Sequence, residues 1–233
     1  MSDLLVIGAG GVGNALLSQS AMRYAQERQF STRRHPVGGQ QLQLDLCDPQ
    51  TYQPCLDALS NESFTPSRII FAHGLLHADG KRPEKSYREL DLEWMTQVMQ
   101  TNALGPISFV AQLMKQVPRQ AAVQIAFVSA RVGSISDNQL GGWYGYRASK
   151  AALNMLVKTL SIELSRTHPK VQVLALHPGT TDTALSEPFQ ARVPEGKLFT
   201  PEFSATAMLD VLDTHKGGDT GQFLAWDGST IPW

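Results

Sequence analysis

Apolar positions along this 233-residue chain follow two rhythms. Short runs rich in β-branched or aromatic residues, at Leu4–Ile7, Arg68–Ala72, Val123–Val128 and Val171–Leu176, predict strands buried on both faces. Between them, Asn14–Arg28, Leu92–Gln116 and Ala148–Arg166 repeat their apolar residues at helical spacing. Gln41–Leu44 and Gln222–Ala225 add two weaker strand candidates. Alternating strands and helices predict an α/β fold, a doubly wound and mostly parallel sheet with helices on both faces. No internal repeat or low-complexity linker breaks the pattern, so 1–233 reads as a single domain. The least regular stretch is Thr180–Pro201, which contains Pro188, Pro194, Gly196 and Pro201. A long loop after a late strand of such a sheet is a natural cover for a ligand, so 180–201 is the candidate substrate lid.

Composition narrows the partners. Twenty Lys and Arg against 21 Asp and Glu give a formal net charge of −1, without the basic field that general nucleic-acid binding needs. No apolar run approaches the roughly 18 residues of a membrane span. The opening MSDLLVIGAGG has no basic segment ahead of its apolar stretch, unlike a secretory signal. Cys47 and Cys55 match no usual zinc spacing and make a poor disulfide framework. A reduced, cytoplasmic protein without a structural metal is expected, with no nucleic-acid or membrane partner.

Leu4–Ile7 runs into Gly8-Ala9-Gly10-Gly11-Val12-Gly13, and a helical pattern follows from Asn14. A G-x-G-x-x-G between a first strand and a first helix is the mark of a Rossmann dinucleotide site. Its glycines allow the tight turn and let backbone N–H groups approach a pyrophosphate at the helix's positive end. A plain glycine turn is the alternative. About 20 residues on, where an acidic residue would hold the ribose hydroxyls of NAD, stands Phe30-Ser31-Thr32-Arg33-Arg34. Hydroxyls and guanidinium forks there suit the 2′-phosphate of NADP, so NADP(H) is favoured and NAD(H) remains possible. A solvated basic turn is the competing reading. Asp45-Leu46 either flank an adenine ring or belong to an ordinary loop.

Tyr146 and Lys150 stand four residues apart, on one face if a helix starts there. A phenol with an unperturbed pKa near 10 is a poor acid–base group at neutral pH. A neighbouring ammonium favours the phenolate, and the lysine also reaches toward a nicotinamide ribose. In isolation the spacing is a common accident.

Taken together and in order, these features resemble the short-chain dehydrogenase/reductase family. The glycine loop, Asp45-Leu46, Asn102 in a helix, Ser129 at a strand end, Tyr146/Lys150 and Pro178-Gly179-Thr180-Thr181-Asp182-Thr183 span the chain. The run from Ser129 to Ile135, then Gly141 to Asn154, is most similar to the C-factor (C-signal) and carbonyl-reductase branch. The resemblance implies that Tyr146 protonates a carbonyl oxygen while Lys150 lowers its pKa and holds the ribose. It implies that Asn102 anchors a water in the proton relay, and that Thr183, after Pro178-Gly179, binds the nicotinamide carboxamide. It also implies a homodimer or homotetramer pairing the helices that hold Asn102 and Lys150.

Three departures qualify it. Ile7 precedes a glycine loop one residue shorter than the family's. Ala72-His73-Gly74 stands for N-N-A-G, with His73 and Gly74 left to line the adenine-ribose side. His73 and His77 are spaced like a metal pair, but no third ligand is evident. Aligning the family's S-S-x-x-G on Gly133 puts Ser129 at the first serine and Ala130 at the second, the one that orients the substrate carbonyl. Either a local bulge shifts Ser129, or Ser134 or a backbone group replaces that serine, or catalysis is impaired. The leading expectation is an NADP(H)-dependent oxidoreductase acting on a carbonyl/alcohol pair. The alternative is a dinucleotide-binding sensor or signalling protein with little turnover. A serine hydrolase would need a G-x-S-x-G elbow that the chain lacks. Leu185, Phe189, Val193, Leu198 and Phe199 are candidate lining residues of the lid, with Trp143 at its mouth.

Overall fold

The computed structural model describes residues 2–38 and 41–233. Seven strands form one sheet, all of whose neighbouring pairs run parallel: β1 (Asp3–Ile7), β2 (Arg28–Arg33), β3 (Gln41–Gln43), β4 (Pro66–Phe71), β5 (Val123–Val128), β6 (Val171–His177) and β9 (Gln222–Ala225). Their spatial order is β3-β2-β1-β4-β5-β6-β9. The chain therefore reverses direction across the sheet between β1 and β4, the crevice where such folds bind ligands at the carboxyl ends of the strands.

Strand alternation divides the core. Leu4, Val6, Ile70, Ala126 and Leu174 face one side, packed with Leu16 of α1 (Gly11–Arg23) and Met208 and Leu212 of α6 (Pro201–Thr214). Leu5, Ile7, Ile69, Phe71, Ile125 and Phe127 face the other, under α2 (Tyr52–Asn61), α4 (Gly105–Leu113) and α5 (Tyr144–Thr167). Phe71 and Phe127, opposite one another in register, stack at 4.5 Å.

The structure shortens the first expected helix. It ends at Arg23, and Arg28 instead opens β2 opposite Asp3, whose buried carboxylate takes both Nε and Nη2 of Arg28. Leu92–Gln116 is likewise not continuous: α3 (Leu92–Met99) passes into one π-helical turn over Gln100–Leu104 before α4. Pro106 cannot donate to the helix ladder, and a Cβ on Gly105 would lie 2.3 Å from the Leu46 carbonyl oxygen. By contrast α5 starts four residues earlier than expected, which puts Tyr146 and Lys150 in its first two turns. Helices α2 and α6 went unpredicted. Thr200 caps α6 by accepting from Phe203 N at 3.1 Å, with Pro201 as its first residue.

The 180–201 segment is more ordered than its composition suggested. Thr180–Thr181 (β7) and Leu198–Phe199 (β8) pair as a small parallel ladder, and Glu187–Arg192 forms 3₁₀ turns between them.

Candidate active site

The glycine loop closes the carboxyl end of β1. Gly8, at φ +91°, occupies a region that L side chains avoid, and a Cβ there would strike His73 at 2.7 Å. A Cβ on Gly13 would sit 2.2 Å from Gly8 O, whereas Gly10 faces open space. Helix α1 has no side-chain cap at Gly10 and no acidic residue in its first turn, so the N–H groups at Gly11, Val12 and Gly13 have no capping side chain among the described residues. The Thr183 methyl lies against Gly11, which brings the Pro178–Thr183 segment over the loop. Pro178 and Gly179 themselves turn the chain out of β6, with Gly179 at φ +80° beneath the Phe199 ring.

Around this loop the expected cofactor residues separate. Thr32 is buried; its hydroxyl accepts from Gly8 N at 3.4 Å and its carbonyl from Ala9 N at 3.1 Å, so it supports the loop. Arg33 is half-buried, and its Nε has no partner among the described residues. Arg34 is exposed beside it. Asp45 accepts from Cys47 N at 2.8 Å, and the Leu46 carbonyl takes the Tyr52 hydroxyl at 2.7 Å, shaping the turn after β3.

His73 is locked. Its Nε2–H donates to the Thr101 carbonyl at 3.0 Å, which leaves Nδ1 as a bare acceptor, buried without a partner among the described residues. Burial, reinforced by the Lys150 charge, pushes its pKa down to about 3, so the ring is neutral. Gly74 follows, about 4 Å from Lys150 Nζ measured from where its Cβ would be. His77 instead donates to Ala184 O at 3.0 Å, tying the segment after β4 to the lid.

Tyr146 and Lys150 are both buried on α5. The Tyr146 hydroxyl forms no hydrogen bond among the described residues, yet it is not sealed off. Lys150 Nζ donates to Val128 O at 2.9 Å and lies 5.8 Å from the Tyr146 ring centre. The expected depression of the phenol pKa is not what this arrangement gives. Burial pushes Tyr146 well above the ordinary tyrosine range, and the same burial pulls Lys150 down to about 8. A desolvated ammonium turned to a carbonyl does not offset the cost of a phenolate in an apolar pocket.

Asn102 joins two segments of the site. It sits in the π-helical turn with its side chain fully buried; Oδ1 accepts from Leu75 N at 2.7 Å, while Nδ2 donates to Leu75 O at 2.9 Å and to Ser149 Oγ at 3.0 Å. Ser149 in turn donates to Tyr146 O at 2.8 Å. Both amide hydrogens are thus committed to protein, so the side chain fastens the segment after β4 to the helix of Tyr146.

Ser129 is not brought to the site. No bulge shifts it: β5 keeps register with β6 through Val128, Ser129 N donates to Leu176 O, and its hydroxyl donates to Asn154 Oδ1 at 2.6 Å inside the protein. Ser134 is buried and accepts from Asp137 N at 3.2 Å. Ala130 is the residue that faces the Tyr146 cluster, with Leu76, Trp94, Val98, Trp143, Leu185 and Phe189. Trp143 packs edge-to-face on Tyr146 at 6.2 Å and on the lid's Phe189 at 4.9 Å, and His77 packs edge-on against Phe189 at 5.9 Å. Of the expected lining, Leu185 and Phe189 reach this pocket. Phe199 packs on Phe203 and Trp226 at the base of the lid, and Leu198 is exposed.

Sequence reasoning missed Ser149, Asn154 and Glu84, a buried carboxylate that accepts from Gly145 N at 3.0 Å. A carboxylate 61 positions from its partner leaves no local signal.

The family profile described as short chain dehydrogenase matches residues 72–193, a span that holds His73, Asn102, Tyr146, Lys150 and Thr183. The chain belongs to the short-chain dehydrogenase family. It is 35% identical over 145 residues to the C-signal of Myxococcus xanthus, covering 62% of this chain and 82% of that one. It is 31% identical over 189 residues to 1-hydroxy-2-glutathionyl-2-methyl-3-butene dehydrogenase of Rhodococcus sp. (strain AD45), covering 78% of this chain and 80% of the relative. Its fold is similar to that of the NADPH-bound carbonyl reductase from chicken fatty liver, with a TM-score of 0.84, 25% identity, and coverage of 100% and 99% of the two chains. This short-chain dehydrogenase is therefore an oxidoreductase on a Rossmann sheet, and no helix among its described residues is long and apolar enough to cross a membrane.

Proposed function

We propose that this short-chain dehydrogenase reduces an aldehyde or ketone to the alcohol, using NADP(H) in preference to NAD(H). The observation that carries the reading is Tyr146: a buried phenol with a free hydroxyl, one helical turn from Lys150, in an apolar pocket beneath residues 180–201. The bound dinucleotide supplies the hydride. Tyr146 gives its hydroxyl proton to the carbonyl oxygen, and burial favours the protonated form from which reduction starts. Lys150, whose Nζ donates to Val128 O, holds the nicotinamide ribose in this reading. The open side of Gly10, the free N–H groups at Gly11, Val12 and Gly13, and the lone acceptor on His73 support a pyrophosphate and ribose there. Arg33 and Arg34 support a 2′-phosphate, and Thr183, Pro178 and Gly179 the nicotinamide end. The NADPH named with the chicken carbonyl reductase agrees with this choice.

One observation favours a second reading, a dinucleotide-binding sensor with little turnover: Ala130 faces the pocket while Ser129 is turned to Asn154. Following NADPH and NADH consumption against a panel of aldehydes and ketones separates the two. Reduction with NADPH, and a preference for it over NADH that Arg33→Ala abolishes, is the expected outcome. Binding of NADPH without consumption across the panel would establish the sensor instead.

A further inference from the structure

We propose that Glu84 is a positioning residue for Tyr146, holding the start of α5 so that the phenol meets the carbonyl; the inference rests on reading Tyr146 as the proton donor. The start of α5 is unusual. Gly141, Gly142 and Trp143 all adopt positive φ, at 63°, 63° and 53°, so the chain enters the helix through three left-handed residues, the last bulky and β-carbon-bearing. Such a conformation persists only where the surroundings impose it. Trp143 offers no side-chain cap, and the first turn has no acidic residue of its own.

Glu84 supplies what the local sequence lacks. Its carbonyl accepts from Trp143 N, fixing the left-handed residue, and Oε2 accepts from Gly145 N at 3.0 Å, satisfying a donor of the first turn. Only 3% of Glu84 is exposed, and Oε1 is buried without a partner among the described residues. Gly145 has no side chain for the same reason: a Cβ would come within 2.9 Å of Oε1 and 3.2 Å of Met95 Cγ. On the far side, Arg147 draws the Gly141 and Gly142 carbonyls inward through Nε at 3.2 and 3.0 Å. Glu84 is itself anchored. Asp79 and Gly80 make a left-handed turn closed by Lys81 N to Ala78 O, Lys81 pairs with Asp91 at the start of α3, and Lys85 N donates to Glu89. The brace therefore runs from α3 to the residues on either side of Tyr146. With Ala130 in place of a second hydroxyl, the direction of the reacting oxygen depends more heavily on Tyr146 alone.

The test compares Glu84→Met, which keeps the length and removes the acceptor, with Glu84→Gln, which keeps an acceptor. In Glu84→Met, amide hydrogen exchange at Gly145 and Tyr146 should rise while the rest of α5 stays protected. The same variant should lose about 10- to 100-fold in kcat, the scale of a small misplacement of a reacting group, with KM for the carbonyl and Kd for NADPH within about threefold of wild type. Glu84→Gln should restore most of both. Gly145→Ala presses a methyl onto Oε1 from the opposite side and should reproduce the kcat loss if Glu84→Met does not fold. Unchanged exchange and unchanged kcat in Glu84→Met overturn the proposal, as does a parallel collapse of kcat and NADPH affinity in both Glu84 variants. A wild-type protein that consumes no NADPH would instead refute the reductase reading, and the exchange measurement would still decide whether Glu84 holds the helix.

Discussion

Lys150 shows what the site costs the protein. Its ammonium is buried and its pKa falls from 10.5 to about 8, so below that value the folded state carries a desolvated charge that the unfolded chain does not. Between about pH 8 and 10.5 the unfolded lysine is still protonated while the folded one is neutral; stability therefore rises with pH across that window. Lys150→Met should accordingly raise unfolding free energy near pH 7 by on the order of 1–3 kcal/mol, the shift at about 1.4 per pKa unit less the lost bond to Val128 O. The advantage should shrink as pH rises toward 10.5, as urea unfolding at pH 7 and pH 10 would read. A variant no more stable than wild type at pH 7 would mean that Lys150 is solvated in a way its burial denies. His73 poses no such problem, because a pKa of about 3 leaves it neutral in both ranges.

At the scale of elements, legibility followed the range of the forces involved. Strands β5 and β9 match their predicted bounds, because continuous apolar runs in a parallel sheet are dictated by burial on both faces. The glycine loop was legible for a similar reason: Gly8 and Gly13 are required by contacts within a few residues or with the adjacent strand end. Long-range partners decided the misses. Arg28 left the first helix for a strand because Asp3 waits for it in β1, and the helix through Asn102 was broken by Leu46 and Leu75, both more than 25 residues away. Tyr146 and Lys150 were visible as a spacing, but the sign of the Tyr146 shift was not, since it depends on how completely the pocket is dried by Leu76, Trp94 and Phe189. Glu84 was invisible for the same reason. Its significance lies in a helix start 61 residues later.

The seven-stranded sheet delivers the glycine loop, His73, Ala130 and the Pro178–Thr183 turn to a single edge, with α5 laying Tyr146 and Lys150 across it. The same helix has a second face. Met155 and Ile162, seven residues apart on α5, are exposed, as are Leu92 and Leu104 on the neighbouring helical run. We propose that two copies cover these residues by pairing the helices of Asn102 and Lys150, and light scattering at micromolar concentration should give at least twice the monomer mass. A monomer under those conditions would contradict it. Pairing there would also stiffen the helix on which the chemistry depends. That chemistry is tested most directly by Tyr146→Phe, which removes one hydroxyl oxygen and leaves the packing against Trp143 intact. With a carbonyl that wild type reduces, the variant should consume NADPH about 10²- to 10⁴-fold more slowly, the usual reach of one acid–base group, while binding NADPH as tightly as wild type. Turnover at the wild-type rate would contradict the assignment of Tyr146 as the proton donor.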